Sequence, residues 1–182
     1  MLTHNFNPFP ILFTKRLCLR RINEADAAMF FELRTNEQVM KYIDRPRPAS
    51  IVDIEKLIQK IDDNINGNLG IMWGITTIDN DELIGTIGYH KIYPEDYRAE
   101  VGYMLSPVYW KMGFMSECLQ TVLPFGFNHL QFHSLEANIN PDNDASRQLL
   151  KKLGFKQEAY FKENYYYNGR FLDSEIYSLV HP

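Results

Sequence analysis

The sequence predicts an α/β fold, a mixed and mostly antiparallel sheet flanked by about four helices, in one domain over residues 1–182. Three observations predict it. Ile51, Ile54, Leu57, Ile58 and Ile61 recur at helical spacing behind a capping Ser50. Val101, Tyr103 and Leu105 alternate as one face of a strand does. Asn168-Gly169 separates two strand-like runs and is a strong hairpin signal.

The elements follow in order. Leu17-Cys18-Leu19-Arg20 reads as a first strand. Asn23 caps a helix from about Glu24 that carries Ala27, Phe30, Phe31 and Val39. Arg45-Pro46-Arg47-Pro48 breaks the chain before the Ser50 helix. Strands follow over Ile71 to Ile78, Leu83 to Ile92 and Ala99 to Leu105, the first two joined by a turn at Asp79-Asn80-Asp81. A helix opens at Gly113. Pro124 lies inside it, removes one hydrogen bond and crowds the carbonyl of Gln120, so a kink or an early end is expected there. His133 to Ile139 is a further strand. Asn143 to Leu153 is a short helix closed by Gly154. Phe155 to Tyr166 and Arg170 to Val180 complete the sheet.

Composition narrows the function classes. The net charge is -4, with no long run of Lys and Arg, which argues against a nucleic-acid partner. No stretch reaches the roughly 18–20 apolar residues that span a bilayer, and the amino terminus lacks a basic region followed by an apolar one. A cytoplasmic protein without a membrane partner is the default expectation. Cys18 and Cys118 read as small core residues, and no Cys/His cluster has metal-ligand spacing, so no metal is expected.

The stretch from Glu100 to Glu117 carries the most information. It reads as strand, turn and helix start, with Pro107 ending the strand and Gly113 where the chain turns into the helix. A helix start leaves backbone N–H groups without intrahelical partners and presents a positive dipole end. A glycine lets an anion approach that backbone closely, so the segment predicts a phosphate-bearing ligand.

Two segments in this order resemble the GNAT superfamily of acyl-CoA N-acyltransferases. One is the Glu100–Glu117 stretch. The other is Asn143-Asp144-Ala145-Ser146 followed by Leu149-Leu150-Lys151-Lys152-Leu153-Gly154-Phe155. Arg16-Leu17-Cys18-Leu19-Arg20, Trp110-Lys111-Met112-Gly113-Phe114 and the closing Asn168-Gly169-Arg170-Phe171-Leu172-Asp173-Ser174 are similar to its RimJ/RimL branch, which acetylates protein N-termini. The resemblance implies a splayed sheet with acetyl-CoA as co-substrate in the cleft between the Ala99–Leu105 and His133–Ile139 strands. It implies that the backbone of Met104 and Leu105 pairs with the pantetheine arm. The amides of Lys111, Met112, Gly113, Phe114, Met115 and Ser116 would hold the pyrophosphate, and Asn143 would bind the arm. Ser146 is implied as the acid.

The chain also departs from the superfamily pattern. Trp110 replaces the first Gln/Arg of the turn. Met115 replaces a small residue and is expected to crowd the ligand. Leu150 stands where many members carry a tyrosine acid.

Direct acetyl transfer needs a neutral amine, donors for the developing oxyanion and a proton for the leaving thiolate. Glu158 and Glu100 are the candidate bases. The expected acceptor is the N-terminal α-amine of a protein, of ribosomal-protein type, as the resemblance implies; a small molecule such as a polyamine, an amino acid or an antibiotic is the alternative. A non-catalytic acyl-CoA-binding module is the alternative from another class, and a homodimer is left open. Tyr103 reads as core packing and Lys151-Lys152 as solvated charge.

Overall fold

The computed structural model describes residues 2–181. A single eight-stranded sheet runs β1 (Leu12–Phe13), β2 (Leu17–Arg21), β3 (Ile71–Thr77), β4 (Asn80–Tyr93), β5 (Arg98–Leu105), β6 (Ser134–Ile139), β8 (Arg170–Val180) and β7 (Lys156–Tyr167) in spatial order. Among the described residues only β5 and β6 pair in parallel. Five α-helices accompany it: α1 (Ala27–Thr35), α2 (Glu37–Met40), α3 (Ile51–Asn66), α4 (Phe114–Asn128) and α5 (Asp144–Lys152).

The expected elements are present, with local corrections. The first helix does not run from Glu24 to Val39. Asn36 adopts an extended conformation, and its side chain accepts from the amides of Gln38 and Val39, so a second short helix is capped where the first would continue. Ser50 is the N-cap of α3 as expected, and Asp53 completes the capping box by accepting from the amides of Ala49 and Ser50. The β3–β4 turn falls at Ile78-Asp79, with Asn80 already in β4. Helix α4 does not end early at Pro124 but continues to Asn128. Pro124 and Gln120 are both exposed, so the carbonyl deprived of its N–H partner is open to water. Cys118 is fully buried as expected, whereas Cys18 is only half-buried.

The inner face of α4 presents Met115, Cys118, Leu119 and Val122 to the core, the i, i+3, i+4, i+7 stripe of a packed helix. Trp73 meets Tyr89 and Phe125 edge-on at 6.0 and 5.7 Å. The Tyr89 hydroxyl donates to the Val122 carbonyl at 2.5 Å. That contact requires glycine at 126, because a Cβ there would lie 2.5 Å from the Tyr89 oxygen. The helix is thereby seated against β4, which fixes where its amino-terminal end points.

The parallel pair positions the site. β5 and β6 are in register only at Arg98/Ser134, Ala99/Leu135 and Glu100/Glu136. Beyond that, β5 stays with β4 as far as Leu105, while β6 stays with β8 as far as Ile139. The sheet therefore opens between the two strands after Glu100, with the α4 turn at the end of one arm and the start of α5 at the end of the other.

Candidate active site

The turn after β5 is built by the backbone. Lys111 and Gly113 both have positive φ, 62° and 79°. The second is a left-handed conformation that only glycine adopts at little cost. The first intrahelical bond of α4 runs from the Glu117 amide to the Gly113 carbonyl at 3.0 Å. The N–H groups from Lys111 to Ser116 make no well-formed hydrogen bond with the described residues, so a row of donors is left at a positive dipole end.

Two residues from the connection between β1 and β2 pin this turn. Glu117 accepts from the Thr14 hydroxyl at 2.5 Å and the Arg16 amide at 2.9 Å, and pairs with the Arg16 guanidinium at 2.7 Å. Arg16 also donates to the Met112 carbonyl at 3.1 Å and lies over the Phe114 ring, which stacks on Tyr109. Burial would raise the Glu117 pKa, but these bonds outweigh it and keep the carboxylate below its ordinary range. Arg16 was legible in the sequence only as part of a pattern. Its contact with the turn spans 96 residues.

The two departures in the turn resolve differently. Met115 is 8% exposed and belongs to the hydrophobic core, so its side chain is directed inward. Trp110 donates its indole N–H to the Leu105 carbonyl at 2.8 Å. The Ser106 amide bonds to the Ile84 carbonyl. Alternation along the antiparallel β4–β5 ladder then turns the peptide groups of Tyr103 and Leu105 away from β4, and those of Met104 toward it. Of the expected pair, Leu105 faces the opening and Met104 does not.

The start of α5 faces the same opening. Asn143 caps it, its side-chain oxygen accepting from the Ser146 amide at 3.1 Å, while its NH2 group donates to no described residue. Arg147 ties the helix to β8 through Glu175 at 3.1 Å. Ser146 is 7% exposed, and its Oγ lies 2.5 Å from the Tyr103 hydroxyl. The two hydroxyls bridge β5 to α5 across the splay, three residues beyond the last β5–β6 pairing. Tyr103 does pack against the core, but that reading missed its hydroxyl contact. Burial pushes the Tyr103 pKa up to about 12, against the opposing effect of the Ser146 bond. Leu150 is fully buried in the core.

The candidate bases differ from each other. A bulge in β4 lets successive residues reach Glu100: His90 Nε2 at 3.1 Å and Lys91 Nζ at 2.8 Å. Burial would raise the Glu100 pKa, but these partners hold it at about 2. A carboxylate this acidic is a weak proton acceptor at neutral pH. Glu158 is exposed on β7 where the register with β8 shifts, and it bonds to no described residue. The geometry brings Ser146, Tyr103, Leu105 and the Gly113 turn around one opening. It shows no contact joining Glu158 or Glu100 to them.

The sheet thus splays between two parallel strands, with an amide-lined turn on one arm and a capped helix bearing a buried hydroxyl on the other. The model of the acetyltransferase (GNAT) domain matches residues 16–156. The uncharacterized N-acetyltransferase YoaA of Bacillus subtilis is 39% identical over 174 residues, covering 96% of this chain and 98% of its own. The chain belongs to the GNAT acetyltransferase family and is an N-acetyltransferase.

Among solved structures, RimL, a ribosomal L7/L12 α-N-protein acetyltransferase in complex with coenzyme A, superposes with a TM-score of 0.86 at 22% identity. The match covers 94% of this chain and 98% of RimL. More distant relatives act on different amines. The spermidine N(1)-acetyltransferase of Vibrio cholerae is 24% identical over 87% of this chain and 89% of its own. The ribosomal protein uS5-alanine N-acetyltransferase of Escherichia coli is 27% identical over 60% of this chain and 57% of its own. No helix among the described residues is long and apolar enough to cross a membrane.

Proposed function

We propose that this chain transfers the acetyl group of acetyl-CoA directly to a primary amine, and that the amine is the α-amine of a protein N-terminus. The observation that carries the reading is the Tyr103–Ser146 hydroxyl pair across the opening, between the last β5–β6 pairing and Leu105. Acetyl-CoA supplies the activated acyl group and a thiolate leaving group. The amides of Lys111 to Ser116 hold its pyrophosphate, the Leu105 backbone and the Asn143 NH2 group hold the pantetheine arm, and Ser146 gives its proton to the departing thiolate and is reprotonated through water with the proton that the amine sheds. The Tyr103 hydroxyl, hydrogen-bonded to Ser146 Oγ, holds the serine in place beside the departing sulfur. Met115, turned into the core, leaves the turn open to the phosphates.

The state of the two carboxylates supports an α-amine acceptor. Glu100 is held ionised by hydrogen bonds from the His90 ring and the Lys91 ammonium, and Glu158 stands apart from the hydroxyl pair. A site with so little built-in base suits an amine that is already neutral in part. An α-amine of pKa near 8 is roughly one-tenth neutral at pH 7, whereas a lysine of pKa about 10.4 is neutral in about one part in 2,500. The likeness to RimL and to the uS5-alanine enzyme points the same way, while the spermidine enzyme represents the small-amine alternative.

Isothermal titration with acetyl-CoA, followed by a mass-spectrometric screen of acetylated products against peptides and small amines, tests the reading. Binding followed by acetylated peptide N-termini is expected. Products confined to small amines would overturn the acceptor, and no binding at millimolar acetyl-CoA would overturn the donor site.

A further inference from the structure

One imidazole lies on the face of the sheet away from the hydroxyl pair. His90 is the extra residue of the β4 bulge, between the Tyr89/Val101 and Lys91/Glu100 pairs. Its ring reaches across β5 and rests on Gly102. A Cβ at 102 would lie 2.8 Å from His90 Cε1 and 2.9 Å from Nδ1, so only glycine leaves room for the ring. Gly102 stands between Val101 and Tyr103, which both pack into the core, and the Tyr103 hydroxyl goes on to Ser146. Alternation along the strand turns the Cβ direction of Gly102 to the opposite face. The hydroxyl pair and the His90 ring therefore stand on the two faces of β5 at neighbouring residues. The strand parts from β6 after Glu100, and Gly102 is two residues further on, roughly 7 Å along it, so the ring is level with the opening.

The hydrogen bond to Glu100 fixes how the ring is used. Glu100, held at about pKa 2, is ionised and can only accept. His90 Nε2, 3.1 Å from Oε1, therefore carries the proton. In the neutral ring Nδ1 is then a bare lone pair. The two nitrogens point to opposite sides of the ring, so with Nε2 aimed back at Glu100, Nδ1 is turned toward the open end of β5. It bonds to no described residue, and the side chain is 33% exposed.

The other charged groups on this face are engaged with each other. Lys91 holds the second oxygen of Glu100 at 2.8 Å, and Arg98 donates to both oxygens of Glu136 at 2.7 and 2.6 Å. That leaves Nδ1 as an acceptor whose direction is set and whose partner has to come from outside the chain.

Resting on the transferase reading, we propose that His90 receives the acceptor amine, Nδ1 accepting a hydrogen bond from one N–H and aiming the nitrogen lone pair at the thioester carbon. The amine then adds from one face of the sheet while Ser146 serves the sulfur from the other. The N–C bond forms and the C–S bond breaks. The thiolate takes the serine proton, and the proton shed by the amine returns through water to Ser146, so the imidazole is neutral before and after. This role asks for a placed lone pair rather than a strong base, in keeping with an amine that is already neutral in part. Glutamine at 100 still offers an oxygen to Nε2–H, so the ring stays aimed in Glu100→Gln.

Nitrogen-15 NMR of the coenzyme A-saturated protein at mildly alkaline pH reads the ring directly, with His90→Gln identifying its signals. His90 should show a protonated Nε2 and a bare Nδ1, and a peptide amine should shift the Nδ1 resonance. A shift given by spermidine alone would support the role of His90 and overturn the peptide acceptor. The opposite tautomer, or no shift with either amine, would overturn the proposal. In steady state, kcat/KM for the amine that the wild type acetylates should fall about a hundredfold in His90→Gln, the scale of a misplaced reactant, with the acetyl-CoA Kd unchanged. Free imidazole should restore at least about tenfold of the loss in His90→Ala and leave the wild type unaffected. A loss of less than threefold in His90→Gln, or no rescue of His90→Ala, would also overturn it. The NMR shift is read without turnover, so its failure is distinct from a failure of acetyl transfer itself.

Discussion

The two sides of the opening are built from different materials. The donor side is backbone: a row of amides, a left-handed glycine and the Leu105 carbonyl. It is held by redundant ties from Thr14, Arg16, Glu117 and Trp110. The wall formed by the last hairpin and the loop after α2 is side chains: a phenol–carboxylate contact between Tyr165 and Asp44, and the exposed, edge-packed rings of Tyr166 and Phe171 at the hairpin. A site made of amides tolerates change in its side chains, which is why Trp110 and Met115 depart from the superfamily pattern without closing the turn. A site made of side chains takes its specificity from them, consistent with relatives that acetylate amines as different as spermidine and a ribosomal alanine.

The sharpest way to break the contrast is at Gly113. A β-branched residue at φ 79° is strained, and relieving the strain moves the amides it carries. Gly113→Val should weaken acetyl-CoA binding by at least about a hundredfold in isothermal titration, the equivalent of losing two or more charge-assisted hydrogen bonds. The circular dichroism of the folded chain should be retained. Unchanged affinity would show that the turn is not the phosphate site.

Next in size is the hydroxyl pair. Ser146→Ala should lower kcat by about a hundredfold, the scale of a lost general acid, with the Kd for acetyl-CoA unchanged. Tyr103→Phe should cost about tenfold in the presence of Ser146 and almost nothing in Ser146→Ala, because it acts through the serine. Additive losses would make Tyr103 merely structural.

The turn before α4 and the cap of α5 were legible because backbone constraints mark a sequence. A glycine between a strand and a helix, and Asn143 three residues before Ser146, were visible and are where the chain turns and caps. Met115 could have been read correctly too, since its spacing to Cys118, Leu119 and Val122 already assigns it to the buried stripe. The positive φ of Lys111 left no mark, because the residue type does not demand it. The acceptor side was not legible. The Tyr165–Asp44 contact spans 121 residues, and no local period predicts a pairing at that distance.

Glu100 offers a smaller test, on the boundary between structure and chemistry. Its folded pKa of about 2 lies below the ordinary 4.5, so it contributes stability that is fully present above pH 4.5 and lost as the pH falls toward 2. Glu100→Gln should lower stability at pH 7 by about 1 kcal/mol after allowance for solvent screening, and the deficit should shrink on acidification through that window. Chemical denaturation at stepped pH measures it. Turnover should stay within a few-fold of wild type. A loss near a thousandfold would restore Glu100 as the base.

The smallest expected effect belongs to Tyr165. Its hydroxyl donates to Asp44 Oδ2 at 2.5 Å and joins the last hairpin to the loop after α2. Both residues are only half-buried, so in Tyr165→Phe the carboxylate recovers water, and the change should cost about 0.5–1.5 kcal/mol, the net value of one hydrogen bond. The loss falls on the placement of the wall rather than on the reaction. KM for the acceptor should rise a few-fold while kcat and the acetyl-CoA Kd hold. A change in the acetyl-CoA Kd instead would mean that the two sides of the opening are not independent, and the division between a backbone-built donor site and a side-chain-built acceptor site would fail there.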